Sequence, residues 1–180
     1  MDRPPARARA AVQRADTFPG VRKRDALLLP GTAVSPQGRP SDREEVRLSG
    51  SHLEVLVKDT ENTARVERLV ERWFYAQARA VILDRVEKCL ASLQHLEIPA
   101  PQSVTLRRMK KRWGSCSKKG GKIHFNPSLG HAPESCVDFV VTHELCHLKH
   151  PNHGPAFYAF LTQAMPDWKQ RKKELEQALR

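Results

Sequence analysis

CVDFVVTHELCHLKHPNHGPAFY, residues 136–158, decides how the rest of the chain is read. His143 and His147 are four residues apart, which on a helix places both side chains on one face. Two imidazoles so placed can take adjacent corners of a zinc tetrahedron, each about 2.0–2.1 Å from the ion. Glu144 is one step around the helix, where it reaches a metal-bound water rather than the metal, and the HExxH pattern gives it the role of general base. The apolar run Phe139-Val140-Val141 buries this helix and holds its ligands rigid. A catalytic zinc takes a third protein ligand and keeps one position open. His150 would lie about 10 Å up the axis from His143, too far to share one ion along a straight helix. Pro151-Asn152 stops the helix and lets the chain swing His153 back toward the first two ligands. The expected ligands are therefore His143, His147 and His153, with His150 at the rim or behind them.

Working outward, the motif helix is expected over 134–150, ahead of C-terminal helices over 155–178. Upstream, Val66, Val70, Trp73, Phe74, Val81, Ile82, Val86, Leu90 and Leu93 recur at three- and four-residue steps, predicting a long helix over 61–96 that Ile98-Pro99-Ala100-Pro101 ends. SVTLRRMKKRW and KIHFN read as two strands joined by SKKGG, a hairpin over 102–126 with Ile123 and Phe125 on one face. Leu53, Val55 and Val57 alternate as in a short strand. Residues 1–50 are rich in Pro, Arg and Gly, apart from an apolar island at Ala26–Leu29, and read as a basic, flexible segment. The catalytic domain is then 51–180. Its order of helix, hairpin and helices makes the class α+β.

The net charge of +11 on 180 residues points to a polyanionic partner or substrate, without naming one. No acidic residue falls between Glu97 and Glu134, whereas Arg107, Arg108, Lys110, Lys111, Arg112, Lys118, Lys119 and Lys122 crowd the expected hairpin. Cys89, Cys116, Cys136 and Cys146 form no CxxC pair and read as small buried residues in a reducing compartment. With no apolar run of about 18 residues and no signal-like N-terminus, the expectation is a soluble, cytoplasmic protein without membrane contact. His52, His95, His124 and His131 lack ligand spacing and read as ordinary histidines. Tyr158 is read first as core packing beside Phe157 and Phe160, and second as an oxyanion donor.

RRMKKRWGSCS (107–117), KIHFNPSL and HELCHLKHPNHGPAFY, in that order, resemble the YgjP-like family of small zinc metallopeptidases, relatives of the SprT-like and WLM zincins. The resemblance covers about 61–180. It implies one Zn2+ held by His143, His147 and His153, Glu144 as catalytic base, and a minimal zincin-like fold: an active-site helix packed against a small twisted sheet with flanking helices. The N-terminal part departs from the family pattern, being short and proline-rich, and His124 stands where asparagine is expected. In zincins an edge strand borders the cleft and can pair with an extended peptide. Here that strand is expected to end in Lys110-Lys111-Arg112-Trp113, although Trp113 and Gly114 also suit simple hairpin packing.

Three activities fit. The first is a zinc metallopeptidase acting on peptides or proteins through an activated water. The second is a nucleoside triphosphate (UTP-type) pyrophosphatase on the same zinc site, an activity the resemblance also implies. The third is a SprT-like protease whose basic hairpin and tail contact nucleic acid nonspecifically. Arg108, Lys111, Arg112, Trp113 and Tyr158 are the candidate substrate-binding residues. A non-catalytic module would not need Glu144.

Overall fold

The computed structural model describes residues 33–34, 39–49, 52–117 and 121–178. The island at Ala26–Leu29 and most of the SKKGG turn lie outside the described residues. The chain divides into two compact units, with the boundary between Gln77 and Ala78, whereas the sequence reading put all of 51–180 into one domain. Among the described residues, no helix is long and apolar enough to cross a membrane.

In the first unit, β1 (Ala33–Val34) and β2 (Arg39–Pro40) each pair in parallel with β4 (His52–Val57), and β3 (Glu45–Ser49) runs antiparallel to it. The alternation at Leu53, Val55 and Val57 has its expected meaning. These side chains are buried in a cluster with Val66, Leu69, Val70 and Phe74 of α1 (Thr63–Ser92). β3 lies inside the stretch read as flexible. Its Val46 sits opposite Val55 and its Leu48 opposite Leu53, so a short apolar alternation amid charges suffices once a partner strand exists.

The second unit begins within α1 and continues through β5 (Ser103–Leu106), β6 (Gly114–Cys116), β7 (Lys122–Phe125), α2 (Glu134–Cys146), α3 (Pro155–Ala164) and α4 (Trp168–Ala178). Its sheet has the order β5-β7-β6, with β5 parallel and β6 antiparallel to β7. This corrects the simple hairpin over 102–126. The first strand breaks after Leu106, because Arg107, Arg108, Lys110, Lys111 and Arg112 would have to bury every second cation to stay in a half-buried sheet. The chain instead loops out and returns on the other side of β7. Asn126 fixes that loop: its side-chain amide donates to the carbonyls of Met109 (2.7 Å) and Arg112 (3.2 Å), and its backbone N–H to Trp113 (2.8 Å). The edge strand that follows the basic loop is thus β6, not residues 110–113.

Ile123 and Phe125 of β7 are fully buried, as expected, against Val137, Val141 and Leu145 of α2 and against Phe157 and Leu161 of α3. Helix α2 is apolar on nearly every side, the pattern of a central helix. It carries Glu134 in its first turn, favourable to the helix dipole. It ends at Cys146 rather than 150. There the N–H groups of Leu148 and Lys149 turn to the carbonyls of Leu145 and Cys146, tightening the last turn ahead of Pro151.

Asp138 on α2 accepts a two-pronged hydrogen bond from Arg85 of α1, and Arg171 of α4 approaches to 3.8 Å. Replacing Asp138 with Ala removes the two-pronged partner of a largely buried guanidinium and leaves it only the longer contact to Glu134 (3.2 Å). The expected loss is about 2 kcal/mol, less than the 3–5 typical of a fully buried pair because both groups keep some solvent. Urea unfolding of Asp138→Ala measures it; a loss below about 0.5 kcal/mol contradicts the anchoring role.

Candidate metal centre

The turn after α2 builds the site. From His147 the chain bends through Pro151. Gly154, in extended conformation, then lets Pro155 open α3, proline at the first helical position being pre-set for it. This reversal carries His153 back over the end of α2. Its Nε2 lies 3.0 Å from Nε2 of His147 and 2.9 Å from Nε2 of His143. One ligand atom from each of the three histidines falls within 4.8 Å of the others.

His147 Nδ1 is 3.0 Å from the His150 carbonyl, which can only accept. Nδ1 therefore carries the proton and Nε2 of the neutral ring presents a lone pair. His150 thus contributes its backbone, while its ring packs on Phe160, with centroids 5.0 Å apart. Phe157 was read only as core, but this fully buried ring lies 4.9, 4.5 and 4.8 Å from the rings of His143, His147 and His153. It forms an apolar floor under all three. Its four-residue spacing from His153 was the only signal in the sequence.

The donor set fits a cation. A single Nε2 either donates or accepts, so hydrogen bonds alone leave His153 Nε2 with an unfavourable contact to one of its two close neighbours. A metal ion satisfies all three nitrogens together. Burial pushes the pKa of His143 down to about 3, with His147, His153 and Lys172 adding to the effect. Burial also lowers that of His147. Both rings are therefore kept in the neutral form that ligation requires.

Glu144 is buried, and its Oε2 has no hydrogen-bond partner. Burial raises its pKa to about 8, against the opposing charge of Arg112. It faces a cleft of about 530 Å3 bounded by β6, α2, the Pro151 turn and α4. Of the five expected substrate-binding residues, Arg112 and Trp113 line this cleft, and Arg108, Lys111 and Tyr158 do not. Tyr158 is 42% exposed, contrary to its reading as core. Its ring stacks between His153 (6.1 Å) and Trp168 (5.6 Å), so it backs the His153 ring from outside. Lys172 and Leu175 of α4 complete the wall, and nothing in their sequence spacing marked them. His124 accepts or donates at 2.6 Å to Thr105 across the sheet, a strand contact only.

Two outcomes follow from this geometry. His153→Ala is expected to weaken zinc binding by at least about 100-fold in a chelator competition, whereas His150→Ala, which keeps its carbonyl, changes it less than about fivefold. Equal losses contradict the assignment. In metal-free protein, the folded-state pKa of Glu144 lies above its ordinary 4.5, so folding draws a proton and stability falls as pH rises from 4.5 to about 8. Glu144→Gln should therefore raise the melting temperature at pH 8–9 and leave it nearly unchanged at pH 4.5. A pH-independent difference contradicts a buried, unpaired carboxyl.

No curated protein matches the chain in sequence. Among solved structures, it is similar to the metallopeptidase zymogen abylysin of Pyrococcus abyssi, at 22% identity over 55% of this chain and 99% of that one, with a TM-score of 0.45. The family model described as "YgjP-like, metallopeptidase domain" matches residues 6–178, reaching well beyond the 61–180 over which the motifs alone were aligned. The chain with these three converging histidines belongs to the YgjP-like metallopeptidase family.

Proposed function

We propose that this chain is a zinc-dependent peptidase with His143, His147 and His153 as ligands and Glu144 as general base. The observation that carries it is the meeting of three Nε2 atoms beside a buried, unpartnered carboxyl, in a cleft bordered by an edge strand. Zinc is the ion that three neutral imidazoles with an open position suit best, and it would polarise a carbonyl and lower the pKa of water to about 7. Glu144 accepts the proton of the attacking water and returns it to the leaving amine. A carboxyl whose pKa is lifted toward neutrality is suited to both halves of that task. The free edge of β6 offers backbone N–H and C=O groups to an extended peptide. Phe139, Val140 and Leu175 supply an apolar lining for a side chain. The four cysteines are all free, which suits a reducing, cytoplasmic setting.

A second reading rests on Arg112 and Lys172, two cations lining the same cleft, where Glu176 lies 3.9 Å from Lys172 and offsets part of its charge. They suit a phosphoanhydride, and hydrolysis of a nucleoside triphosphate to pyrophosphate would use the same base and metal. One experiment separates the readings: zinc-loaded protein is given an unfolded protein and, separately, a panel of nucleoside triphosphates, with Glu144→Gln alongside. Peptide fragments that form about 10²–10⁴-fold more slowly with the variant support the peptidase. Pyrophosphate release lost in the variant, without fragments, supports the second reading. Activity equal in the two proteins contradicts both.

A further inference from the structure

We propose that Gly114 is a positioning residue: its missing side chain is the space in which the carboxyl of Glu144 lies against the edge strand, beside the three histidines. The inference rests on the reading of Glu144 as general base. In the β6–β7 ladder Gly114 is paired with Phe125, and Cys116 with Ile123. Paired positions project their side chains to the same face, so a side chain at 114 would point, like the buried Phe125, toward α2. A methyl group built there meets Glu144 first, at 2.6 Å from Cγ, 2.6 Å from Oε1 and 2.9 Å from the carboxyl carbon. The three nearest atoms all belong to Glu144, and all lie beyond its Cβ.

The ordinary reason for glycine in a hairpin does not apply at this position. The turn between β6 and β7 has its own left-handed glycine, Gly121 at φ 59°, while Gly114 has no positive φ and its backbone suits any residue. Glycine inside a strand then marks a close approach by another group. That group is the one buried carboxyl next to the ligands, and its Oε2 has no hydrogen bond to hold it. Steric confinement between β6 and α2 therefore sets its position. An alanine at 114 forces the carboxyl to another rotamer or pushes the edge strand away. The ligand rings, held by Phe157 and by the His150 carbonyl, are untouched.

The test compares zinc-loaded Gly114→Ala with the native chain by crystallography, zinc affinity and turnover. The expected result is a native zinc affinity, unmoved histidine rings, a displaced Glu144 carboxyl and turnover lower by about 100-fold, as for a misplacement near 1 Å. A carboxyl in its native place, or native turnover with the carboxyl displaced, overturns the proposal. If Gly114→Ala does not fold, Gly114→Ala combined with Glu144→Ala decides, because truncating Glu144 frees the space. Restored folding supports the proposal, and continued failure overturns it. Should the native chain cleave no peptide, the peptidase reading falls alone, since the carboxyl position in Gly114→Ala still answers the steric question.

Discussion

The His153 Nε2 atom, held about 3 Å from Nε2 of both His143 and His147, is the constraint on which the second unit depends. Such crowding is unfavourable for neutral rings without a cation among them, so the fold must impose it. Helix α2 supplies two rings on one face and is held rigid by burial on nearly all sides. The third ring requires a reversal, which the tightened end of α2, Pro151 and the Gly154-Pro155 start of α3 provide. Phe157 then closes the arrangement from below by touching all three rings. Each ring is positioned differently: His147 by a carbonyl, His153 by aromatic neighbours, and His143 by packing against Phe139 and Phe157.

The same burial that keeps His143 and His147 neutral raises the proton affinity of Glu144. One low-dielectric wall thus lowers the pKa of His143 to about 3 and lifts that of Glu144 to about 8. Opposite shifts in adjacent residues share their main cause, because burial disfavours the charged form of each. A carboxyl that binds its proton near neutrality beside neutral imidazoles of His143 and His147 suits the general-base role proposed for it.

Much of this centre was legible in the sequence, because helical periodicity and proline act locally. The four-residue step from His143 to His147 and the stop at Pro151 point to His153, rather than His150, as the ring that meets the first two. Strand pairing is not local. The cations after Leu106 explain the break in SVTLRRMKKRW once the sheet is seen, but nothing in that stretch shows that the strand pairs in parallel with residues 122–125. The buried amide of Asn126, which turns the basic loop, has no spacing signature. Gly114 was read as hairpin packing, because the side chain it makes room for, that of Glu144, lies thirty positions away in the chain. Tyr158 was misread because an aromatic between two phenylalanines resembles core, whereas helical geometry turns it outward onto Trp168.

The most direct measurement is zinc-edge X-ray absorption on the zinc-loaded chain. The account predicts three imidazole nitrogens at about 2.0–2.1 Å and one further light atom at the open position. A sulfur at about 2.3 Å, which would bring Cys116 of the cleft wall into the shell, contradicts it. So does a shell with only two imidazoles, since His153 would then not be the ligand that the reversal after Pro151 is built to deliver.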